Sequence, residues 1–389
     1  KKISLWASLF SVCLAAHSTE KSLSLVESCN TQGITLFYTL PRPSNEIISP
    51  FSIYTSLLMA YAGSKGGTAK QFANVLNTHF NQNQAALAFS KLYSDFSTGS
   101  ENNGFNLFLA SGIWIDSTFS ILPSFLKTIE KDFNATIKNI QFSNSSKALQ
   151  TINKSIEEET NHYIRDFLSN NALSSATKML FTNVLFLKGS WEHPFPTEQT
   201  EHQSFFKSKN DKTDTIMMNQ TSMLPYYENK TTQVLSLPIK STQKDTTFSL
   251  VIFLPKAYPP SPLDFYYQDS SNPLKFLNDL GSLDDKKVHV TIPKFEMSQK
   301  IEISKVLKEL GVTAAFTSEA DFSSISEGKD LSIGKVLSQS ALSINETGIF
   351  AAASSGISLD IQSSLDTSKP IRFNANHPFL FALVEMQSK

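Results

Sequence analysis

The residue types that most often carry catalysis are present, but none of them stands in a catalytic pattern. No histidine lies in an H-E-x-x-H zinc motif, the chain has no G-x-S-x-G nucleophile elbow, and Cys29 has no C-x-x-C partner. The glycine-rich loops that cradle phosphates are also missing from the sequence. The sequence therefore argues against an enzyme and predicts neither a cofactor nor a metal site. The seven histidines are His17, His79, His162, His193, His202, His289 and His377.

The segment from Ile344 to Pro370 has a pattern suited to a peptide that changes its state. Alternate residues are apolar or small, as on the buried face of a strand, but the central ones are too small to bury much apolar area. A polar run follows from Gln362 to Ser368. The pattern suits a segment that is exposed in one state and a buried strand in another, but taken alone it is also the pattern of a surface loop in which the alternation arises by chance. The alternating residues are Ile349, Ala351, Ala353, Ser355, Ile357, Leu359 and Ile361.

Composition excludes several classes of protein. The 389 residues include 34 Lys and Arg against 35 Asp and Glu, a net charge of −1, which argues against a nucleic-acid partner or a polybasic membrane module. An apolar fraction of 40% with 30 Phe argues against a disordered chain.

The N-terminal residues 1–16 read as a signal peptide. Lys1 and Lys2 precede an uncharged apolar stretch that ends in small residues near Ala15 and Ala16. We expect an extracellular, secreted protein, with surface association left open, whose only remaining cysteine is Cys29. Six N-x-[ST] sequons are candidate glycan sites in such a protein. They lie at Asn134, Asn144, Asn153, Asn219, Asn229 and Asn345.

Apolar spacing predicts helices followed by strands, and no linker divides the chain. Helices are expected over 22–40, 50–76, 152–168 and 301–310, the second capped by Ser49. Strands are expected over 178–188, 248–254, 288–292 and 379–384. We expect one interlocked α+β domain.

An ordered set of short motifs resembles the serpin family from Ser22 to the C-terminus. Asn45–Gln71 is similar to the N-x-x-x-S-P-x-S-I signature with its following G-x-x-G-x-T, and Asn183–Phe195 to the N-x-x-x-F-K-G-x-W-x-x-P-F block. Ile292–Phe295 and Phe373–Phe381 fit later strands. The resemblance implies a domain of three β-sheets surrounded by eight or nine helices, with a reactive-centre loop over about 348–369.

The resemblance also implies a function without a catalytic group. A serine protease would cleave the loop and form an acyl-enzyme, and the loop would enter the main sheet as a new strand and hold the protease there. Each new backbone bond contributes ~1 kcal/mol and each buried Ile or Leu ~1.5–3 kcal/mol. The implied hinge residues are Glu346, Thr347, Gly348, Ile349, Ala351, Ala352 and Ala353, and the implied shutter and breach residues are Ser49, Ser52, Asn183, Trp191 and Ser338.

Three departures from the family pattern bear on this function. The hinge glycine is followed by Ile349 and bulky Phe350 where the family favours Thr or Ser, which leaves the speed of insertion open. Ser338 replaces a histidine common in relatives; its hydroxyl can still bond Asn183, but the group that titrates with pH is gone. The sequence stops at Lys389, where relatives add one more strand, and an unpaired sheet edge would result.

The loop favours some proteases over others. Counting from Glu346 puts the scissile bond at Gln362–Ser363, with Ser364–Leu365 and Leu365–Asp366 as alternatives. No Lys or Arg lies between Lys335 and Lys369, so chymotrypsin- or elastase-like targets are favoured over trypsin-like ones.

A second hypothesis is a non-inhibitory serpin that acts as a carrier, chaperone or storage protein. Such a serpin would show a charged or proline-interrupted hinge, and this hinge has neither before Pro370, although a glycan on Asn345 would block insertion. Because Lys70 and Lys91 are isolated, we do not expect heparin-type activation. We expect a monomer whose partner is a protease.

Overall fold

The computed structural model describes residues 7–12, 20–39, 46–97, 105–241, 247–257, 279–328, 330–350 and 368–386. Within these ranges the chain forms seven α-helices and fifteen β-strands. The helices are α1 (Glu20–Thr39), α2 (Pro50–Gly63), α3 (Gly66–Val75), α4 (Gln82–Ser97), α5 (Pro123–Asp132), α6 (Ser145–Glu159) and α7 (Ser304–Glu309). The strands are β1 (Ala7–Val12), β2 (Glu46–Ile48), β3 (Phe105–Asp116), β4 (Thr136–Ile140), β5 (Met179–Ser190), β6 (Glu201–Ser208), β7 (Asp211–Glu228), β8 (Thr232–Pro238), β9 (Thr247–Pro255), β10 (Asp284–Pro293), β11 (Phe295–Glu302), β12 (Ile333–Ile344), β13 (Gly348–Ile349), β14 (Ile371–Asn374) and β15 (Phe379–Met386).

Two of the expected helices differ in extent from the sequence-based prediction. The helix expected over 50–76 begins at the Ser49 cap, whose Oγ accepts from the Ser52 amide at 3.1 Å, but it is broken into α2 and α3. The break comes just before Gly66, which has a φ of 54°.

The helix expected over 152–168 ends early, at Glu159. Asn161 and His162 adopt left-handed φ values of 46° and 64°, which stop the helix. Tyr163 and Phe167 therefore follow α6 in an irregular segment, although Phe167 is buried as its apolar character predicts.

A six-stranded sheet carries the hinge. Its order is β11-β12-β13-β5-β3-β4, and β12 also pairs directly with β5. That pairing is parallel and runs from Ile333 opposite Met179 to Ser340 opposite Leu185. Beyond this point β12 and β5 separate, and the two-residue strand β13 lies between them.

The second sheet has nine strands in the order β14-β10-β7-β8-β9-β15-β1-β2, with β6 beside β7. The long strand β7 pairs with β10 and β6, and its last residues, Tyr226–Glu228, also pair with β8. Within the described ranges this continuous pairing joins the strands into one sheet beside the six-stranded one. Together with the seven helices the two sheets form the single α+β domain that the sequence predicts.

One strand comes from the segment expected to be a signal peptide. Ala7–Val12 pairs in parallel with both β15 and β2, so the edge of β15 that we expected to be unpaired is covered. A molecule that has lost residues 1–16 would lack this strand. The signal peptide itself stays a prediction.

Apolar side chains fill both faces of the six-stranded sheet. One cluster lies between this sheet, the other sheet and helices α1 to α5, and a smaller one lies beneath α6 around Trp114, Ile152 and Val184. Cys29 on α1 is a free thiol, 1% exposed within the larger cluster. None of the helices in the described ranges has the length and apolar content that a membrane crossing requires.

Candidate functional site

The hinge begins with a tight turn built by Asn345. Its Oδ1 accepts hydrogen bonds from the amides of Thr347 and Gly348 at 2.9 and 3.0 Å and from the Thr347 hydroxyl at 2.8 Å. Asparagine favours such turns because its side-chain oxygen reaches backbone amides two residues on. The turn reverses the chain after β12 and directs it back along the sheet.

Glu346 fixes this turn to the neighbouring sheet. Its carboxylate accepts from Lys294 Nζ at 2.8 and 3.2 Å, and its carbonyl accepts from the Phe195 amide at 2.9 Å. Burial alone would raise the pKa of the Glu346 carboxyl, but the hydrogen bond from Lys294 and further hydrogen bonds outweigh it and hold that pKa below its ordinary value. The anion is thus the form that the folded hinge stabilises.

Trp191 joins the hinge to the end of β5. Its indole nitrogen donates to the Asn345 carbonyl at 2.9 Å, its amide donates to the Thr347 carbonyl at 2.9 Å, and its side chain is 2% exposed. Trp191, the expected breach residue, therefore lies directly against the hinge turn and donates hydrogen bonds to two of its carbonyl groups.

Gly348 occupies a position that admits no side chain. A Cβ built there would lie 2.0 Å from the Gly189 carbonyl oxygen and 2.7 Å from Ser190 Cα, both of which are backbone atoms of β5. The absence of a side chain lets the hinge pair with Gly189 and Ser190.

Ile349 lies within the six-stranded sheet. It pairs with Ile344 on β12 and Gly189 on β5, and it is 0% exposed. The direction of β13 is antiparallel to both strands, and the Phe350 amide donates to the Ser343 carbonyl at 2.8 Å. A chain that continued in this direction would run between β12 and β5.

Phe350 turns the chain at the end of β13. Its φ of 46° is left-handed, an uncommon conformation for a bulky residue. Its ring makes T-shaped contacts with Phe186 at 5.4 Å and Tyr163 at 5.9 Å between centroids, and Phe186 stacks on Phe108 at 4.5 Å. We call Phe108, Tyr163, Phe186 and Phe350 the hinge aromatic cluster.

The shutter residues lie together and are buried where the start of α2 packs against the β12–β5 pair, and their side chains make the following contacts. Ser52 Oγ donates to the Ser49 carbonyl at 3.2 Å and lies 3.4 Å from Ser338 Oγ. Ser338 and Asn183 are register neighbours, yet Asn183 Nδ2 donates to Ser111 Oγ at 2.7 Å. The Ser338–Asn183 side-chain bond that the sequence allows does not form, because the Asn183 amide points across the sheet to β3 and Ser338 faces α2.

Part of the expected site lies outside the described residues. The remaining hinge residues Ala351, Ala352 and Ala353 and the candidate cleavage residues Gln362, Ser363, Ser364, Leu365 and Asp366 fall there. The loop returns at Ser368, and β14 begins at Ile371. In the described ranges, no group of three or more His, Cys, Asp or Glu is arranged to hold a metal ion.

Sequence reasoning missed three partners of the hinge. One of them, Lys294, stands in the matched Ile292–Phe295 motif and could have been found from it. The contact of Phe350 with Phe186 and Tyr163 had no such signal, because it joins segments far apart in the sequence.

Known proteins share this architecture along nearly the whole chain. The family model described as "Serpin (serine protease inhibitor)" matches residues 27–389. A serine protease inhibitor of Cyanea capillata is 30% identical over 96% of this chain and 95% of its own, and a leukocyte elastase inhibitor of Bos taurus is 30% identical over 92% and 94%. The solved structure of an Arabidopsis serpin in its native stressed conformation, 29% identical, superposes with a TM-score of 0.80 over 95% of this chain and 96% of that one. The motifs, the α+β fold and these similarities agree: the chain belongs to the serpin family.

Proposed function

We propose that this serpin is a secreted inhibitor that traps serine proteases as acyl-enzymes, with a chymotrypsin- or elastase-like target and a scissile bond at Gln362–Ser363. The observation that carries the proposal is the position and direction of β13. It lies between β12 and β5, antiparallel to both, at the point where the two strands separate. A cleaved loop that continued from Ile349 would extend an existing strand.

Insertion must break hydrogen bonds as well as form them. The β12–β5 ladder from Ile333 to Ser340 would open, and the inserted strand would form one ladder with each neighbour. The net gain is therefore about one ladder, at ~1 kcal/mol per bond, together with the burial of Ile357, Leu359 and Ile361 at ~1.5–3 kcal/mol each. These contributions make the inserted state the more stable one. As the loop inserts, the attached protease moves with it and is distorted.

The test is the formation of a covalent complex. The purified protein is mixed with chymotrypsin and, separately, with neutrophil-type elastase, and a denaturant-resistant complex is sought on a gel. Mass spectrometry of the released C-terminal peptide identifies the cleaved bond. Trapping is rejected for these proteases if each of them cleaves the loop and is recovered fully active.

A matched pair of loop variants tests the mechanism separately. By strand alternation Ala351 faces the larger core in the inserted state, as Ile349 does, and Ala352 lies on the opposite face with half-buried Phe350, so Ala351→Arg would bury a charge more completely than Ala352→Arg. We expect Ala351→Arg to be cleaved as a substrate and Ala352→Arg to form the complex. Equal behaviour of the two variants would contradict insertion.

The assay for a covalent complex, together with the unfolding temperatures of the intact and cleaved forms, also tests the alternative of a non-inhibitory serpin. A carrier, chaperone or storage role predicts cleavage without a complex, and intact and cleaved forms with the same unfolding temperature. An inhibitor predicts a higher unfolding temperature after cleavage.

A further inference from the structure

The sequons differ in the surroundings of the side-chain nitrogen that a glycan would use. N-glycosylation replaces one Nδ2 hydrogen of asparagine with a sugar carbon. In the resulting trans amide this carbon lies on the same side as Oδ1. A sequon fits the native fold only if that side of the amide is open.

Asn219 is closed on all sides. It is 8% exposed, its Nδ2 donates to the Gln199 carbonyl at 2.7 Å, and it lies 3.5 Å from the Met217 carbonyl. Its Oδ1 accepts from the Thr291 hydroxyl at 2.7 Å. A sugar on Asn219 would displace buried backbone and leave buried polar groups without hydrogen-bond partners, which the native fold does not accommodate.

Asn153 is closed by a paired contact. Its Oδ1 accepts from the Leu168 amide at 2.7 Å while its Nδ2 donates to the Leu168 carbonyl at 3.0 Å. Both bonds use the same edge of the amide, so the donated hydrogen is the one on the Oδ1 side. A sugar carbon would occupy the place of the Leu168 oxygen and separate α6 from the segment that follows it.

Asn144 and Asn229 use only the oxygen of their side chains in the described part of the chain. Asn144 Oδ1 caps α6 by accepting from the Lys147 amide at 3.2 Å, and Asn229 Oδ1 accepts from the amides of Thr231 and Thr232 at 2.9 Å each. A glycosylated asparagine keeps this oxygen. Both local structures therefore survive the modification.

Asn134 is exposed, and its nitrogen makes one long contact, 3.4 Å from Tyr93 Oη. The contact is long and exposed, so a sugar on Nδ2 displaces no buried group there. Asn134 also lines a surface pocket of about 520 Å³ together with Leu107 and Phe108. A glycan on Asn134 would cover these half-buried apolar side chains.

We propose that folded molecules carry N-linked glycans on Asn134, Asn144 and Asn229 and none on Asn153 and Asn219. This assignment rests on the secretion proposed above, because the modifying enzyme acts in the secretory pathway. Asn345 is kept out of the comparison because its sequon forms the hinge turn, where a glycan would alter inhibition as well as folding.

The test compares two full-length versions made in eukaryotic cells, one with its own N-terminus and one with an established secretion leader fused ahead of residue 1. The monomeric fraction from the medium is deglycosylated enzymatically in heavy-oxygen water, and peptide mapping locates each converted asparagine. Among the five sequons compared, we expect label at Asn134, Asn144 and Asn229 only. Label at Asn153 or Asn219, or its absence from any of the other three in the leader-fused protein, overturns the assignment.

The two proposals fail in different ways. If the version with its own N-terminus stays unglycosylated inside the cell while the leader-fused version is labelled as expected, secretion fails and the assignment stands. As a matched pair, Asn144→Gln should remove one glycan from the secreted mass and Asn153→Gln should remove none.

Discussion

The ring of Phe350 lies against the ring of Phe186, with centroids 5.4 Å apart and planes inclined by 64°. One residue belongs to the hinge and the other to β5, the strand beside which the loop would insert. The contact places Phe350 on the face of the sheet that α6 covers, while the preceding Ile349 is buried against the larger core. Ile349 and Phe350, the last described residues of the hinge, therefore point to opposite faces of the sheet, as consecutive residues of a strand do.

We expect the hinge aromatic cluster to stabilise the intact protein as a unit. Phe350→Ala should lower the free energy of unfolding by about 1–3 kcal/mol through lost packing. The coupling between Phe350 and Tyr163, whose centroids are 5.9 Å apart, should be about 0.5–1.5 kcal/mol. Chemical unfolding of the two single variants and the double variant measures it. Strict additivity would show that the rings do not interact.

Gly348→Ala should destabilise the intact protein and slow trapping. The new Cβ would meet the backbone of β5 at 2.0 Å, so the hinge must leave the sheet, at about 2 kcal/mol or more. Thermal unfolding and the rate of complex formation are the measurements.

Gly67→Ala is the matched control. A Cβ at this position on α3 meets nothing within 4 Å, and alanine favours a helix by ~0.5–1 kcal/mol. This variant should be as stable as the parent or more so. If both variants behave alike, the close approach at Gly348 has no structural role.

The Glu346–Lys294 pair predicts an acid-sensitive hinge. Because the folded state lowers the pKa of Glu346, the unfolded chain binds its proton at a higher pH than the folded protein does. The ionised Glu346 carboxyl therefore stabilises the folded protein fully at pH values above 4.5, the ordinary pKa of a glutamate. This stabilisation is lost as the pH falls through the lower pKa that Glu346 has in the folded protein. Unfolding temperatures measured across this range should fall less steeply for Glu346→Gln.

An exposed pair serves as the control for this titration. Lys154 and Glu158 lie 3.7 Å apart on α6 with side chains 77% and 60% exposed, where water screens the pair, so Glu158→Gln should have little effect on the unfolding temperature. A Glu346→Gln profile that coincides with that of the parent would contradict the role of the pair.

The scissile bond can be located by changing the class of protease inhibited. Trypsin-like enzymes bind a basic side chain through an aspartate in their specificity pocket. Gln362→Arg should therefore convert the protein into an inhibitor of trypsin, with a complex visible on a denaturing gel. Ser364→Arg and Leu365→Arg test the alternative bonds, and whichever variant gains trypsin inhibition marks the residue before the cleaved bond.

The sequence predicted elements whose signals are local. Ser49 and Pro50 mark the start of α2, and the β-rich runs correspond to β5, β9, β10 and β15. The end of α6 was not predicted, because the apolar spacing continues past Glu159 to Phe167 and reports burial rather than backbone conformation. Two left-handed residues, Asn161 and His162, decide the backbone there.

The sequence predicted which residues lie at the site better than it predicted the contacts that their side chains make. The family pattern placed Ser52, Asn183 and Ser338 together, and they lie together. It did not determine that Asn183 would turn to Ser111, since side-chain rotation depends on packing from β3 on the other side. The links from the hinge to Lys294 and Phe186 likewise depend on strand registers that no local pattern reveals.

The sealed thiol of Cys29 gives this molecule a reporter of its own. A reagent that modifies sulfur can reach it only when α1 lifts from the core, since 1% of the residue is accessible. The rate of alkylation then measures how often α1 separates from the core, without any probe placed in the reactive-centre loop. Comparison of that rate in intact and cleaved protein would show whether cleavage of the loop changes how firmly α1 packs on the core.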